Sequence, residues 1–507
     1  MTAPAYSVLP PAAADVAPRE QRRAAALLLA LLVCGALLRF YRLGSNSLWV
    51  DEFATVRISL LSLPEIFAEN IRNKSFEPPL YFWLVHGVVG VLGSSETALR
   101  LASAVAGTLS IPVVWLLTRE VTSNVNTALL SAALLTFNPL HLWYSQEARP
   151  YALFLLFVCL AGFSLSRAFR AGGRTAWAGF AGFTLLAVFT HLVGLALLLV
   201  AWGWGIALAN GRKLIRPLLI QSAVVLACVG PLLVAIAAAT AGAPDTGSPP
   251  RAPTGLEIPY TLLTYVAGYS FGPSLRELQN LGTRAALAAN LFQSGLAVVI
   301  LAGLALLIAR RLQRDMTGFA ILFAIYVGVI FLASVVTGKA YSIRYTLPGL
   351  IGFLGMVALA ISNSDPALRR AWLALVLALF AWADAQWFFS PAYWKDDSRA
   401  AVHWLSQHLP PGATVAVAPA YATRVLTHYA RLEGTDLHLV SAVPAGGWEA
   451  QRPAALVLTR LHHVPDQVGL VTAFRRLAGP HLLKQRVVGY DMWLDDQLAQ
   501  NSAGQPR

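Results

Sequence analysis

The chain has 507 residues, of which 57% are hydrophobic and only 12% are charged. Soluble domains carry about 25% charged residues, so this composition indicates an integral membrane protein with polar parts attached. The formal net charge of +13 is better explained by Lys and Arg placed around membrane spans than by nucleic-acid binding. Cys34, Cys159 and Cys228 all lie in apolar runs, and they offer neither a disulfide framework nor metal-ligand spacing.

Apolar segments long enough to cross a membrane recur along most of the chain. A span needs about 20 apolar residues. We find eleven segments: 24–41, 99–118, 127–143, 151–168, 176–191, 192–210, 214–238, 286–308, 317–337, 346–362 and 370–389. The first has no small-residue cleavage site before Arg39, so it is interpreted as a retained span and not as a signal peptide. Residues 1–23 before it are predicted to be a disordered cytoplasmic tail.

The basic residues between these segments favour one orientation. If the spans alternate, Arg-rich stretches such as 19–23, 167–174 and 310–314 fall on the same side. That side is the cytoplasm, because short cytoplasmic loops carry an excess of Lys and Arg. The N-terminus is therefore predicted to be inside and the C-terminus outside, and residues 42–98 form a large first extracytoplasmic loop.

Two short elements are predicted inside this first loop. The apolar stretch 79–93 is too short for a span, and counting it would invert every later loop, so it is interpreted as a re-entrant or interfacial helix. Residues 63–72 have the pattern of an amphipathic helix lying at the membrane surface.

From Pro391 the composition becomes that of a globular domain. Helical and strand-like patterns alternate, with helices at 396–409, 421–432 and 466–477 and strands at 414–418, 437–442, 455–459 and 487–494. This alternation predicts a small extracytoplasmic α/β domain at 391–507. The predicted fold is therefore an α-helical polytopic membrane domain over 24–390, followed by this domain.

Four polar groups fall on the predicted outer face. They are Asp51-Glu52 beside Trp49, the segment Lys74–Pro79, the turn Tyr144–Tyr151 and the segment Lys339–Pro348. A carboxylate near hydrocarbon is costly unless it is hydrated, paired or functional. Lys339 and Arg344 are basic residues on the outer side, and they depart from the positive-inside pattern.

Carboxylates and cations at one membrane surface suit a particular reaction. Arg or Lys would hold a lipid phosphate, and Arg can bind two of its oxygens at once. A hydroxyl that attacks a sugar carbon needs one carboxylate base within hydrogen-bond reach. A phosphate leaving group needs no protonation, so a second catalytic carboxylate is not required, in contrast to glycosidases.

Five motifs together resemble a known family. They are Leu-Trp-x-Asp-Glu (48–52), Pro-Pro-Leu-Tyr (78–81), the segment 100–107, the turn 144–151 and Arg-Tyr-x-Leu-Pro (344–348). This ordered set resembles the bacterial dolichyl-phosphate-mannose protein mannosyltransferase-like group of the GT-C glycosyltransferase superfamily, which also holds the lipid A aminoarabinose transferases. The resemblance covers most of residues 24–390.

The resemblance implies a function and a set of roles. A sugar would pass from a polyprenyl-phosphate-linked donor to a hydroxyl acceptor on the extracytoplasmic face of the bacterial inner membrane, with inversion. Asp51 would be the base, Glu147 would be a second acidic residue of the site, and Arg344 would hold the lipid phosphate. Extracytoplasmic members of the group differ in metal use, so a divalent cation stays open as a cofactor although no dedicated metal site is seen.

One departure from the family concerns the residue before the Pro-Pro pair. It is often His in the group, or Lys in the aminoarabinose branch, where it contacts phosphate; here it is Glu77. A carboxylate cannot take that role, so either Lys74 replaces it or Lys339 contributes more. The catalytic candidates are Asp51, Glu52 and Glu147. The candidates for binding the lipid phosphate or substrate are Lys74, Arg149, His191, Lys339, Tyr341, Arg344 and Tyr345.

Two other classes of function stay open. The first is a lipid or solute transporter or flippase with an outer polar gate, although the span centres are nearly free of charge and no inverted repeat is evident. The second is a binding scaffold derived from the family. Imidazoles such as that of His191 often bind only a backbone partner. The acceptor could be a protein, a lipid or a glycan, and the C-terminal domain is a hypothetical selector of it.

Overall fold

A computed structural model describes residues 18–72, 77–208, 211–241, 253, 255–338, 341–442, 449–464, 466–479 and 482–495. The chain forms two compact units. The first, here called the membrane unit, comprises Met1–Leu43, Arg57–Gly268 and Gly295–Asp384. The second, here called the C-terminal unit, comprises Gly44–Val56, Tyr269–Ser294 and Ala385–Arg507. Two segments from earlier in the chain, Gly44–Val56 and Tyr269–Ser294, thus group with the C-terminal part. The domain boundary at 390/391 stays a prediction.

The helices and strands of the described residues follow in chain order. The α-helices are α1 (Pro18–Phe40), α2 (Val50–Ser59), α3 (Leu63–Arg72), α4 (Leu80–Leu92), α5 (Glu96–Thr122), α6 (Val125–Phe137), α7 (Pro139–Ser145), α8 (Tyr151–Ala171), α9 (Arg174–Thr190), α10 (Ala196–Ala207), α11 (Ile215–Ala241), α12 (Glu257–Ala267), α13 (Leu275–Leu281), α14 (Thr283–Ala289), α15 (Leu291–Arg310), α16 (Thr317–Thr337), α17 (Leu347–Ser362), α18 (Pro366–Phe389), α19 (Ser398–His408), α20 (Ala422–Leu432) and α21 (Gln467–Ala478). The strands are β1 (Ala413–Ala418), β2 (Leu437–Ser441), β3 (Ala455–Thr459), β4 (Leu482–Val487) and β5 (Tyr490–Asp495).

The long apolar helices match most of the predicted spans. Within the described ranges, eight helices are long and apolar enough to cross a membrane. They correspond to eight of the eleven predicted spans, and the other three are the shorter helices α6, α9 and α10. The predicted span 127–143 divides at Asn138, because Pro139 lacks an N–H group and its ring would clash with the preceding turn. The predicted fold class is confirmed, while the total of eleven spans and their orientation stay predictions.

The core of the membrane unit surrounds α17. Every residue from Leu347 to Ile361 is buried, and this helix contacts α6, α8 and α16. Helix α5 in turn contacts α1, α6 and α8. Since α17 begins just after Arg344 and α8 begins at Tyr151, this packing fixes the ends that carry the predicted site residues of the unit.

The C-terminal unit contains a five-stranded sheet in the order β2-β1-β3-β5-β4. Strand β1 pairs in parallel with β2 and β3, whereas β5 is antiparallel to β3 and β4. Helix α21 packs on one face through Phe474, against Leu456 and Leu458. The strand predicted at 487–494 corresponds to β5, which begins at Tyr490, whereas β4 was not predicted. The two strands form a hairpin, and Gly489 at φ 83° allows the tight turn between them.

Candidate active site

The turn at 146–150 in the membrane unit is built by local capping. Pro139 opens α7, and the Asn138 side chain accepts a hydrogen bond of 3.0 Å from the His141 backbone N–H. After α7 ends, Gln146 Nε2 donates to the backbone carbonyl of Tyr41 at 2.9 Å. The polar residues that follow are therefore held against the end of α1.

The motif at 100–107 supports the same turn from α5. Ser103 Oγ donates to the carbonyl of Arg149 at 2.9 Å, and it also shares a 2.9 Å hydrogen bond with the Tyr81 hydroxyl. At Gly107 a Cβ atom would contact the Ser145 side chain and lie 3.3 Å from Arg39 Nε. The motif at 100–107 therefore has a structural role, because it sets the position of the backbone of the turn at 146–150.

Glu77 binds the turn from the segment before the Pro-Pro pair. Its carboxylate accepts from the Arg149 guanidinium in an ion pair, and it also accepts from the Tyr151 hydroxyl at 3.0 Å. All three side chains are buried. In this chain the residue before Pro78 thus neutralises Arg149, which accounts for a carboxylate where the family often has His or Lys.

Two guanidinium groups lie over one tyrosine ring. The carbon atoms of the Arg149 and Arg344 guanidinium groups are each 5.8 Å from the centre of the Tyr151 ring. Arg344 is also 5.4 Å from the centre of the Tyr345 ring. The structure therefore brings together three of the predicted phosphate-binding residues, although Arg149 and Arg344 are far apart in the chain.

His191 joins this cluster through its ring. The imidazole centre lies 5.0 Å from that of Tyr345 and 6.0 Å from that of Tyr151. Its Nδ1 accepts a 3.3 Å hydrogen bond from the Val193 backbone N–H, so a neutral ring carries its proton on Nε2. That Nε2 atom is buried and has no hydrogen-bond partner among the described residues. A buried donor of this kind suits a ligand oxygen.

The remaining predicted residues of the outer turns are placed as follows. Glu147 is buried in the turn, where its carbonyl accepts from the Arg149 backbone N–H at 2.7 Å. The Tyr341 hydroxyl shares a 2.9 Å hydrogen bond with Thr261 Oγ1 on α12. Lys74 and Lys339 lie outside the described residues.

Asp51 and Glu52 occupy the first turn of α2 in the C-terminal unit. Carboxylates are favoured there, because the helix N-terminus carries a partial positive charge. Glu52 is fully buried, and its Oε1 atom is 3.6 Å from Nζ of Lys395, which is also buried. Asp51, in contrast, is only partly buried. The two adjacent carboxylates thus have different surroundings.

Asp51 has cationic and phenolic neighbours from the C-terminal sheet. Arg460 donates from Nε to Asp396 at 3.1 Å, and its guanidinium carbon is 4.8 Å from the centre of the Trp49 ring. Burial lowers the pKa of Arg460, but the carboxylates of Asp396 and Asp51 outweigh it and raise the pKa above its ordinary value. The electrostatic effect of Asp51 also reaches the Tyr421 hydroxyl.

Sequence reasoning did not find Lys395, Arg460 or Tyr421. The run Trp-Lys-Asp-Asp at 394–397 marks the start of the globular part, but nothing in it indicates a partner near residue 52. Arg460 directly follows a buried strand, where a charged residue is unremarkable. No group of three or more His, Cys, Asp or Glu side chains in the described part of the chain could hold a metal ion.

Comparisons with known proteins agree with this architecture. Residues 76–235 match the family described as Dolichyl-phosphate-mannose-protein mannosyltransferase. An uncharacterized protein of Aquifex aeolicus (strain VF5) is 28% identical over 138 residues, which is 26% of this chain and 28% of that protein. The match thus spans less than a third of the relative's length.

Solved structures share the fold over nearly the whole chain. ArnT from Cupriavidus metallidurans in the apo state is similar with a TM-score of 0.55 at 15% identity, covering 96% of this chain and 100% of that one. The same protein bound to undecaprenyl phosphate gives 0.52 at 14% identity, with 97% and 100% covered. The oligosaccharyltransferase AglB from Archaeoglobus fulgidus, in complex with an inhibitory peptide and a dolichol-phosphate, gives 0.50 at 13% identity, with 97% and 75% covered. The predicted resemblance is confirmed by the family match over residues 76–235 and, at the level of the fold, by these solved structures.

Proposed function

We propose that this chain, a multi-pass membrane protein of the GT-C fold, transfers a sugar from a polyprenyl-phosphate donor to a hydroxyl acceptor. Arg149, Arg344 and His191 bind the donor phosphate, and Asp51 is the base. The reaction takes place on the extracytoplasmic face of the bacterial inner membrane. A relative of similar fold holds undecaprenyl phosphate, and this supports the choice of donor class.

The observation that carries this proposal is the cluster around Tyr151. Arg149 and Arg344 both lie over its ring, and His191 adds a buried Nε2 donor. Guanidinium groups bind phosphate oxygens through paired N–H donors, and they do so more strongly than neutral donors. The phosphate would accept from Arg344 and His191, while Glu77 orients Arg149.

An apolar groove in the membrane unit supports binding of the polyprenyl tail. It has a volume of about 470 Å³ and is lined by Leu80 and Trp83 of α4 and by Gly182, Phe183 and Phe189 of α9. Leu80 lies three residues after Glu77 in the chain. The end of a tail bound in this groove at Leu80 would therefore lie close in the chain to Glu77, the residue that orients Arg149.

The chemistry follows from one base and one stabilised leaving group. The acceptor oxygen attacks the anomeric carbon of the sugar while Asp51 takes the hydroxyl proton. The bond between that carbon and the phosphate oxygen breaks, and polyprenyl phosphate leaves with the electron pair. Fixed cations stabilise the charge that develops on the phosphate. A single displacement of this kind inverts the anomeric configuration.

The two other carboxylates receive supporting roles. Glu52 is fully buried against Lys395, so it holds the first turn of α2 and positions Asp51. Glu147 orients the substrate from the turn that also carries Arg149. Lys74, Lys339 and Tyr341 remain proposed contacts of the donor phosphate, with Tyr345 packing beside Arg344.

The first test is turnover of a panel of undecaprenyl-phosphate sugars by the purified full chain in lipid nanodiscs. We expect release of undecaprenyl phosphate with at least one donor. Arg344→Met should weaken binding of undecaprenyl phosphate about 10- to 100-fold, since hydrogen bonds to charged groups contribute about 1.5–3 kcal/mol. Arg486→Met is the matched control, because Arg486 is an exposed arginine paired with Asp491. No turnover, combined with passage of the lipid across the bilayer, would favour a transporter.

A second test addresses the tail. Apart from its chain neighbours and its own helix backbone, no atom lies within 4 Å of the Cβ position of Gly182, so Gly182→Leu places a side chain into the groove space. It should weaken binding of undecaprenyl phosphate but leave binding of a short-chain prenyl phosphate unchanged. Equal effects on both lipids would show that the groove does not hold the tail.

A further inference from the structure

The sheet of the C-terminal unit has a topological switch point between the parallel strands β1 and β3. Strands β1 and β3 are neighbours, with Ala418 paired to Leu458 near their carboxyl ends. From β1 the chain continues to β2 on one side, whereas from β3 it continues to β4 and β5 on the other. In open α/β sheets, ligands bind in the crevice outside the carboxyl ends of the strands at such a point.

The loops that follow these two strands are joined by polar side chains. Tyr421 follows β1, and its hydroxyl is 2.5 Å from Nδ1 of His463, which follows β3. Arg460 is the first residue after β3 and has φ 43° and ψ 60°. This left-handed conformation is uncommon for a residue other than glycine, and strained residues of this kind concentrate at functional sites.

Asp51 belongs to the same compact unit and interacts electrostatically with these loops. Burial, and after it the charges of Asp396 and Asp51, raises the pKa of Tyr421, although Arg460 acts in the opposite direction. Asp396 and Asp51 also raise the pKa of Arg460. Trp49, two residues before Asp51 in the chain, also lies against Arg460, whose guanidinium carbon is 4.8 Å from the centre of the Trp49 ring. The base proposed above and the crevice at the end of β1 and β3 are therefore neighbours within one unit.

We propose that Tyr421, Arg460 and His463 form the subsite that binds the acceptor beside Asp51. This inference rests on the proposed function, because an acceptor hydroxyl must come within hydrogen-bond reach of its base. Once that hydroxyl group reaches Asp51, the rest of the acceptor contacts Tyr421, Arg460 and His463.

The charges of the subsite indicate the class of acceptor. Among the described residues, ion pairs join Arg276 and Arg460 to Asp396 and Lys395 to Glu52, and Asp51 is a third carboxylate near Arg460. These formal charges balance, so the network does not attract an anion. Tyr421 is partly buried and His463 is exposed. Both are neutral groups, because burial raises the pKa of Tyr421, and desolvation and then the charge of Arg460 lower the pKa of His463.

Neutral groups that both donate and accept hydrogen bonds match neighbouring hydroxyl groups. The Tyr421 hydroxyl does both, the neutral imidazole has one donor and one acceptor nitrogen, and a guanidinium offers a planar fork of donors. The acceptor is therefore an uncharged sugar that presents its hydroxyl group to Asp51. A phosphorylated or carboxylated acceptor would disturb the charge balance.

The test compares acceptor use with donor use by the full chain in nanodiscs. The probes are methyl α-mannopyranoside as a neutral sugar, mannose 6-phosphate as its anionic counterpart, and a short Ser/Thr peptide. The variants are Tyr421→Phe, Arg460→Lys and His463→Gln. The matched controls are Tyr393→Phe, whose hydroxyl binds the Gly272 carbonyl, and Arg486→Lys on the exposed hairpin.

We expect each subsite variant to raise the acceptor KM about tenfold for a lost hydrogen bond, while the donor KM stays within about twofold of the wild-type value. The controls should leave both quantities unchanged. His463 is exposed, so His463→Gln keeps the test valid if the Arg460 variant does not fold. A wild-type acceptor KM in Tyr421→Phe and His463→Gln would overturn the subsite.

The acceptor class and the proposed function fail in different ways. The assignment of a neutral sugar as the acceptor would be overturned by preferred transfer to mannose 6-phosphate or to the peptide. Hydrolysis with no transfer to any probe would overturn it as well. Loss of acceptor selectivity in the subsite variants while Asp51→Asn retains full transfer would overturn the base and leave the subsite in place. Absence of both transfer and hydrolysis in the wild type would overturn the proposed function and the subsite that rests on it.

Discussion

The Glu52 carboxylate and the Lys395 ammonium group lie 3.6 Å apart, and both side chains are buried. The two residues are more than 300 positions apart in the chain. Lys395 lies just before α19, and Glu52 lies in the first turn of α2. The pair therefore ties the base proposed at Asp51 to the globular part of the chain. A charge buried in this way is costly once its partner is removed.

We expect Lys395→Met to destabilise the C-terminal unit by about 3–5 kcal/mol, because it removes the cation that faces the buried Glu52 carboxylate. The combined variant Glu52→Leu and Lys395→Met should recover much of that loss, since replacing both partners by apolar residues removes the buried charges. Thermal unfolding of the purified chain measures both effects. Arg486→Met, at an exposed ion pair, should cost less than about 1 kcal/mol. Equal losses for Lys395→Met and this control would contradict the account.

Introducing the lysine of the aminoarabinose branch should not improve this protein. Glu77→Lys places a cation against the buried Arg149, with which Glu77 forms an ion pair. Like charges repel, so donor turnover and thermal stability should both fall. The charge-swapped variant Glu77→Lys with Arg149→Glu should recover stability in the same thermal unfolding measurement. A single variant as stable as the wild type would mean that the pair is not formed.

Gly107→Ala should loosen the turn that carries Glu147 and Arg149. A Cβ atom there would contact the Ser145 side chain, and overpacking of this kind costs about 1–3 kcal/mol. Gly230→Ala in α11 is the matched control, because no atom lies within 4 Å of its Cβ position. The melting temperature should drop for Gly107→Ala and hold or rise for the control. The same melting temperature for both variants would contradict the close packing.

Stability should depend on pH through His463. Burial and then the Arg460 charge lower the pKa of this imidazole in the folded protein. As pH falls below about 6.5, the ordinary histidine pKa, the unfolded chain binds the proton first, so the free energy of unfolding decreases. His463→Gln removes this contribution. Melting temperatures between pH 8 and pH 5 should fall more steeply for the wild type, and parallel curves would refute the shifted pKa.

Much of the fold follows from local sequence patterns. The amphipathic helix predicted at 63–72 is α3 with the same bounds, and the helices and strands predicted for 396–477 are present with shifts of at most two residues at their ends. Periodicity and end signals suffice there. The hairpin of β4 and β5 was missed because the strand-like pattern continues through the turn at Gly489.

The partners of the site residues are less predictable. Arg149, Arg344 and Tyr345 were recognised by residue type on the predicted outer face. Lys395 and Arg460 were not, because their partners Glu52 and Trp49 are distant in the chain. A single sequence carries no record of such tertiary pairs. For the same reason, the sequence alone does not predict the ion pair between Glu77 and Arg149.

The most direct test of the account separates binding from chemistry at Asp51. In single-turnover experiments with saturating undecaprenyl-phosphate sugar and acceptor, Asp51→Asn should slow release of undecaprenyl phosphate by about 10²-fold or more, as expected for loss of a general base. Its affinity for undecaprenyl phosphate should stay within about twofold of the wild-type value, because the residue acts in the transition state. Release at the wild-type rate would contradict the assignment of Asp51 as the base.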